Sequence, residues 1–279
     1  MKVLCSEVGH DYGHYLYPYV LWGYLEPGET PADALASGFM PGTPEMDRWY
    51  MVRQIRVGLE GWAPSSENRR VLRRTEGWRC ELVEKGAFGD TAERRAGWLE
   101  YAAGKWGVGI MTPERLDRLM GGPVVSHLFH CTEGGTGEEV GSALVYCEPP
   151  RAAFYYYAFY RRTPETKHYG MGMMARAVAQ FAAAGYEHLY LGTCYSERAL
   201  YKAQFEPLEF WNGCRWSGNG RELRHLVRQG LPEGRHRLET AEFRDFQPGP
   251  LAELARESCV RIDPAIRPRP TRPGRGPAP

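Results

Sequence analysis

The sequence lacks most of the features that announce a well-known class of protein. It has no CxxC pair, and its seven cysteines (Cys5, Cys80, Cys131, Cys147, Cys194, Cys214 and Cys259) are odd in number and far apart. Neither a disulfide framework nor a cysteine-rich metal site is expected, and reduced thiols are the default. His127, His130 and Cys131 are closely spaced, but no second cluster completes a four-ligand set, so no metal is expected. Long apolar runs are missing too: residues 12–25 carry no formal charge, yet they fall short of the ~20 residues that span a bilayer and are broken by Gly13, Pro18 and Gly23. Residues 1–10 do not build the apolar core of a secretory signal, so a cytoplasmic protein without membrane contact is the expectation. No charge of one sign dominates either. Lys+Arg 35 against Asp+Glu 34 leave a net +1, which excludes attraction of the whole molecule to a polyanion. The patterns GxxxxGK[ST], HExxH and GxSxG are absent, which removes P-loop nucleotide hydrolases, zinc proteases of that motif and nucleophile-elbow serine hydrolases.

What is present is a globular composition with a surplus of aromatics. Of 279 residues, 43% are hydrophobic and 25% charged, while Tyr 17 and Trp 8 lift the aromatics to 13%. The length suits one large domain or two modest ones. Residues 1–125 mix Tyr, Trp and arginine clusters with turns at Glu26-Pro27-Gly28 and Gly121-Gly122-Pro123, and read as a smaller N-terminal module of short elements. Within it a short helix over 31–38 starts at the N-cap Thr30, and Thr112-Pro113-Glu114 opens another. Residues 126–230 carry the clearest pattern. Two β-prone runs, 141–147 and 152–160, form a hairpin; a glycine-bearing turn over 167–172 leads into a helix over 173–184; then follow a strand over 187–192, a helix over 196–204 and the start of a strand over 206–210. Residues 231–279 form a polar extension whose tail, 261–279, holds six prolines and five arginines and is expected to be disordered. The fold class expected is α+β, a mixed and mainly antiparallel sheet flanked by helices.

The turn Lys167-His168-Tyr169-Gly170-Met171-Gly172 carries the strongest chemical signal, because a glycine-rich turn that opens a helix presents backbone N–H donors beside the positive helix end. On its own, close packing explains such glycines as well as phosphate binding does. With the strand over 187–192 and the later Ala199-Leu200-Tyr201-Lys202, the turn resembles the core of the GNAT acyltransferases, whose motif Q/R-x-x-G-x-G/A has Lys167 here in its first place. Two further stretches, Tyr190-Leu191-Gly192 and Tyr201 through Glu209 ending in Trp216, are similar to the YLG…YKAxFxPxE…W pattern of the aminoacyl-tRNA–protein transferases. Ile55-Arg56-Val57 and the segment 63–74, Ala-Pro-Ser-Ser through four arginines, resemble that family's N-terminal pattern. Trp49, Tyr50, Met51 and Val52 stand where the family usually carries cysteines for an iron–sulfur cluster, so no cluster is expected.

The resemblance implies a GNAT-like domain in residues 126–230 that moves an amino acid, of the arginine or leucine class, from tRNA to a protein N-terminal amine. Aminoacyl-tRNA is then the donor, its acceptor end one partner and a peptide N-terminus the other, with no further cofactor. Lys167, Gly170, Met171 and Gly172 would hold the donor, and the amides near Gly172 would polarise the reacting carbonyl. Tyr201 would protonate the leaving ribose oxygen, Lys202 would meet a phosphate or carboxylate, and His168 would deprotonate the amine. The six arginines between residues 53 and 74 outnumber Glu60 and Glu67 by four, and of these Arg69, Arg70, Arg73 and Arg74 are the expected tRNA contacts. Tyr156, Tyr190 and Glu209 are expected beside the substrate, the run from Tyr155 to Tyr157 alternating faces along its strand. Two other functions fit the same residues. An acetyl-CoA-dependent N-acetyltransferase would use the turn for a pyrophosphate, and a non-catalytic module would bind peptide N-termini with the same fold.

Overall fold

The computed structural model describes residues 1–14, 18–163, 165–228, 240–246 and 249–258; the proline- and arginine-rich tail lies outside the described residues. In chain order the elements are β1 (Lys2–Glu7), β2 (Tyr19–Tyr24), α1 (Pro31–Ala36), β3 (Phe39–Pro41), β4 (Trp49–Met51), β5 (Gln54–Gly58), α2 (Ser66–Arg74), β6 (Trp78–Glu84), α3 (Ala92–Trp106) and α4 (Pro113–Gly121). They continue with β7 (His127–Glu133), β8 (Glu139–Glu148), β9 (Ala152–Tyr160), α5 (Tyr169–Ala183), β10 (His188–Thr193), a 3₁₀ helix (Glu197–Gln204), β11 (Leu208–Trp211), β12 (Trp216–Ser217), α6 (Gly220–Arg228), α7 (Ala241–Arg244) and α8 (Leu251–Glu257).

The architecture is the expected α+β arrangement. A large sheet runs in the order β12-β11-β5-β10-β9-β8-β7-β6, and a small one in the order β1-β2-β4-β3. Among the described residues every pairing in the large sheet is antiparallel except β9 with β10. That parallel pair needs a crossover, and α5 supplies it. The apolar residues of the strands alternate between two cores. On one face α2, α5 and α6 bury Val71, Met173, Phe181 and Leu223 against Ile55, Leu189 and Phe210. On the other, α1, α3, α4 and the small sheet bury Leu35, Trp49, Trp98 and Leu116 against Leu128, Phe154 and Phe159. Each such side chain, fully buried, contributes roughly 1.5–3 kcal/mol.

Local chemistry fixes the ends of the helices. The Asp33 carboxylate accepts from the Thr30 backbone N–H at 2.7 Å as α1 begins, and the Thr112 hydroxyl accepts from the Arg115 N–H at 3.2 Å at the start of α4. The 2.9 Å bond from the Ala32 N–H to Glu148 also places a carboxylate at the positive end of α1.

Four expectations change. Strands β5 and β6 precede residue 125 yet stand in the large sheet, so residue 125 does not separate two sheets; the IRV strand finds its partners in β10 and β11, not within its own segment. The central helix begins at Tyr169, so its glycines lie inside the first turn of the helix and not before it. The element after β10 is a 3₁₀ helix in place of an α-helix. Finally, Cys80 and Cys131 face each other in the β6–β7 register with Cα atoms 4.2 Å apart and form a disulfide; their separation of 51 in sequence hid a cross-strand pair. No helix among the described residues is long and apolar enough to cross a membrane.

Candidate functional site

The parallel pair β9–β10 is short. His188 faces Ala152, Leu189 faces Ala153 and Tyr190 faces Phe154, after which β9 stays with β8 and β10 stays with β5. The two strands therefore part into a wedge, and the backbone edges that face each other across it belong to no ladder. A bulge in β9 accompanies the parting: Leu144 faces Tyr157 and Val145 faces Tyr155, which leaves Tyr156 as the extra residue. The bulge breaks the expected alternation. Tyr156 and Tyr157 turn to the same face, their ring centroids 4.4 Å apart, while Tyr155 packs with the core on the α5 side.

Polar side chains from three elements meet at this wedge. Tyr201 and Lys202 come from the 3₁₀ helix that follows β10, Tyr155 and Tyr160 from β9, and Lys105 from α3. The Lys202 ammonium donates to the Thr193 carbonyl at 2.9 Å. Burial pushes its pKa down to about 8, and the Lys105 cation adds to that shift. Tyr201 is 42% exposed, yet burial on the hydroxyl side pushes its pKa up to about 12. Lys105 donates to the Tyr101 hydroxyl at 2.6 Å and to the Tyr160 hydroxyl at 3.3 Å, and its ammonium lies 4.8 Å from the Tyr160 ring centroid. Tyr160 also closes a cleft of about 800 Å³ beside α3, whose walls include Tyr101, Gly104, Arg162, Thr166 and Lys167. Arg161, at its rim, is held by Glu133 at 3.0 Å and Glu138 at 2.6 Å. Arg162 and Lys167 are exposed and outnumber Glu100 on the cleft wall, so the cleft presents more cations than anions to solvent.

The expected donor cradle is not built as the sequence suggested. The Gly172 N–H donates to the His168 carbonyl at 2.8 Å as part of the helix. A Cβ on Gly172 would lie 2.7 Å from Thr75 and 2.8 Å from Trp78, and one on Gly170 would lie 2.5 Å from the Tyr160 ring. Both glycines are required by close packing of α5 against its neighbours. Met171 packs against the apolar core. His168 stacks on Trp78 at 6.2 Å, on the flank of α5 that Gly172 presents one turn later; Gly170 and Tyr160 lie on the other flank. His168 is therefore not assembled with Tyr201. Lys167 alone of this set lines the cleft.

The arginine cluster divides. Arg69, Arg70, Arg73 and Arg74 are exposed on α2, with Arg70 paired to Glu67 and Arg69 donating to the Pro64 carbonyl at 2.9 Å. Arg53 and Arg56 point elsewhere. Arg53 donates to the Leu226 carbonyl at 3.0 Å, and Arg56 pairs with Glu209 at 2.7 Å while its guanidinium lies 4.0 Å over the Trp216 ring. Tyr190, 1% exposed, receives a 3.4 Å bond from Arg56. Two of the expected substrate residues, Tyr190 and Glu209, thus belong to an internal network with Arg56. Tyr156 lines a separate depression with Arg48, Arg115 and Arg118.

Lys105, Tyr160 and Arg162 escaped the sequence reading, and Tyr155 entered it only as part of the run to Tyr157 expected beside the substrate. The spacing of Tyr101 and Lys105 in α3 hinted at one helical face, but only the packing of α3 across β9 brings that face to Tyr160. Among the described residues no group of three or more His, Cys, Asp or Glu side chains could hold a metal ion.

No model of a known protein family matches this chain, and no curated protein matches it. Solved structures show a distant likeness. The C-terminal domain (DUF2156) of a protein from Agrobacterium fabrum described as a lysylphosphatidylglycerol synthetase is 17% identical with a TM-score of 0.40, over 63% of this chain and 54% of that one. The L-PGS of Bacillus licheniformis is 14% identical with a TM-score of 0.39, over 63% and 55%. A GCN5-related N-acetyltransferase from Sphaerobacter thermophilus is 15% identical with a TM-score of 0.32, over 62% and 50%. The match spans about half the length of these structures.

Proposed function

We propose that the protein is an aminoacyl-tRNA-dependent aminoacyltransferase that moves an amino acid, of the arginine or leucine class, to a protein N-terminal amine. The observation that carries this reading is the wedge between β9 and β10, with Tyr201 and Lys202 at its mouth and Tyr160 linking it to the cationic cleft of Arg162 and Lys167. An ester on tRNA is already activated, so the work left is positioning and proton movement. Arg162 and Lys167 hold phosphates of the acceptor end. The α-amine of the acceptor, whose ordinary pKa is about 7.7–8.0, meets Lys202, whose depressed pKa matches it and suits it to carry the proton that the amine sheds. Tyr201 stays protonated at neutral pH and gives its proton to the leaving ribose oxygen.

An acetyl-CoA donor would enter the same wedge. The Gly172 amide, already bonded to His168, is withdrawn from any pyrophosphate cradle, which weighs against it. Incubation with a mixture of labelled aminoacyl-tRNAs and peptides differing in their first residue tests the reading: label should pass to a peptide N-terminus. Transfer from acetyl-CoA alone would replace the aminoacyl donor with an acetyl one, and binding of peptides without any transfer would make the protein a recognition module.

A further inference from the structure

Tyr155 is 4% exposed, and its hydroxyl has no hydrogen-bond partner among the described residues. A buried hydroxyl left unmatched costs about 1–3 kcal/mol, so its persistence asks for a state in which it is matched. Its place in the fold is specific. Tyr155 is the first residue of β9 beyond the last pair with β10, and it immediately precedes the bulge residue Tyr156. It therefore stands at the apex of the wedge, and the polar side chains that act on it electrostatically are Tyr201 and Tyr160. Its own ionisation is pushed far above the ordinary tyrosine range by burial, which makes it a donor that does not titrate in the working range.

Resting on the proposed function, we infer that Tyr155 is a positioning residue that acts through Tyr201: its hydroxyl donates to the Tyr201 oxygen when Tyr201 has passed its own proton to the leaving group. In that step the amine nitrogen forms its bond to the acyl carbon and the ester C–O bond breaks, its electron pair going to the ribose oxygen. That oxygen takes the Tyr201 proton, and the proton shed by the amine returns to Tyr201 through Lys202. At the height of the transfer Tyr201 carries negative charge in a poorly solvated site, where a buried donor that no other group holds can turn to it without first breaking a bond. The unmatched hydroxyl of the resting protein is then the matched one of the reacting protein.

The test is Tyr155→Phe, which removes one oxygen and leaves the ring. Transfer from charged tRNA to peptide should fall about 10²-fold in kcat, with KM for both substrates unchanged and the melting temperature unchanged or raised. The variant should also recover the wild-type rate with a p-nitrophenyl ester of the same amino acid, because that leaving group departs without a proton. Wild-type rates from tRNA in the variant, or an equal loss with both donors, would overturn the positioning role while leaving the aminoacyltransferase reading intact. A wild-type protein inert toward every charged tRNA would instead overturn that reading and this role together. Tyr155→Leu, which also removes the ring, serves as the structural control: it should lower the melting temperature and lose rate with both donors.

Discussion

The Arg56 guanidinium and the Glu209 carboxylate meet at 2.7 Å across neighbouring strands, although 153 positions separate them in the chain. The pair joins β5 to β11 in the register that sets Arg56 opposite Glu209, and Trp216 covers the guanidinium on one side. The early segment that carries Arg56 and the later one that carries Glu209 are therefore one structural unit. Their contact explains why a strand from the first 60 residues sits inside a sheet built mainly from later ones.

The pair is partly buried, with side chains 12% and 32% exposed. Glu209→Ala leaves Arg56 without its counter-charge and should lower unfolding free energy by about 2 kcal/mol. Urea unfolding reads this directly. Transfer activity per folded molecule should be preserved, because neither residue reaches the wedge in this account.

Gly172 distinguishes packing from ligand binding. A methyl group there meets Thr75 and Trp78 at under 3 Å, so Gly172→Ala should lower stability by about 1–3 kcal/mol by forcing α5 away from α2 and β6. Donor affinity in the folded fraction should hold. Lost affinity with unchanged stability would restore the cradle reading.

Lys202 sets a pH dependence. Burial depresses its folded pKa to about 8 from the ordinary lysine value of 10.5, so between those two pH values the unfolded chain binds the extra proton and stability rises with pH. The rate should rise through about pH 8 as the amine of Lys202 becomes free to accept a proton. Because the acceptor amine titrates over the same range, Lys202→Met should lower the rate above about pH 8 without abolishing the limb, and should flatten the stability gain between pH 8 and 10.5.

Donor binding should depend steeply on salt, since each neutralised phosphate releases counterions. Replacing Arg162 and Lys167 together by alanine should weaken tRNA binding and reduce the slope of log affinity against log salt by about 1–2. Arg70→Ala should leave the slope nearly unchanged, because Arg70 is already paired with Glu67.

The sequence made the hairpin of β8 and β9, the crossover helix and the next strand legible, because their periodicities are local. Thr30 and Thr112 marked helix starts for the same reason: a hydroxyl or carboxylate beside the first turn acts over three residues. The wedge is not legible in local periodicity. It depends on where β10 leaves β9 for β5, and a strand's choice between two partners is settled by packing across the sheet. The glycines misled in a physical way, for a helix that needs room for Trp78 and Tyr160 carries the same residues as one that cradles a phosphate. Lys105 emerged only with the tertiary structure, and Tyr155, legible only as one ring of the run to Tyr157, gained its particular place there too, since each is placed by a neighbour at least 46 positions away in the chain.

The central claim is that a tRNA-borne ester is opened at the wedge by an amine, with Tyr201 as the acid. The most direct measurement is single-turnover transfer from labelled aminoacyl-tRNA to an unblocked peptide by the wild-type protein and by Tyr201→Phe. The account predicts transfer by the wild type, a loss of about 10²-fold in the variant, and no transfer to an N-acetylated peptide by either. Equal rates in the two proteins, or label passing only from acetyl-CoA, would contradict it.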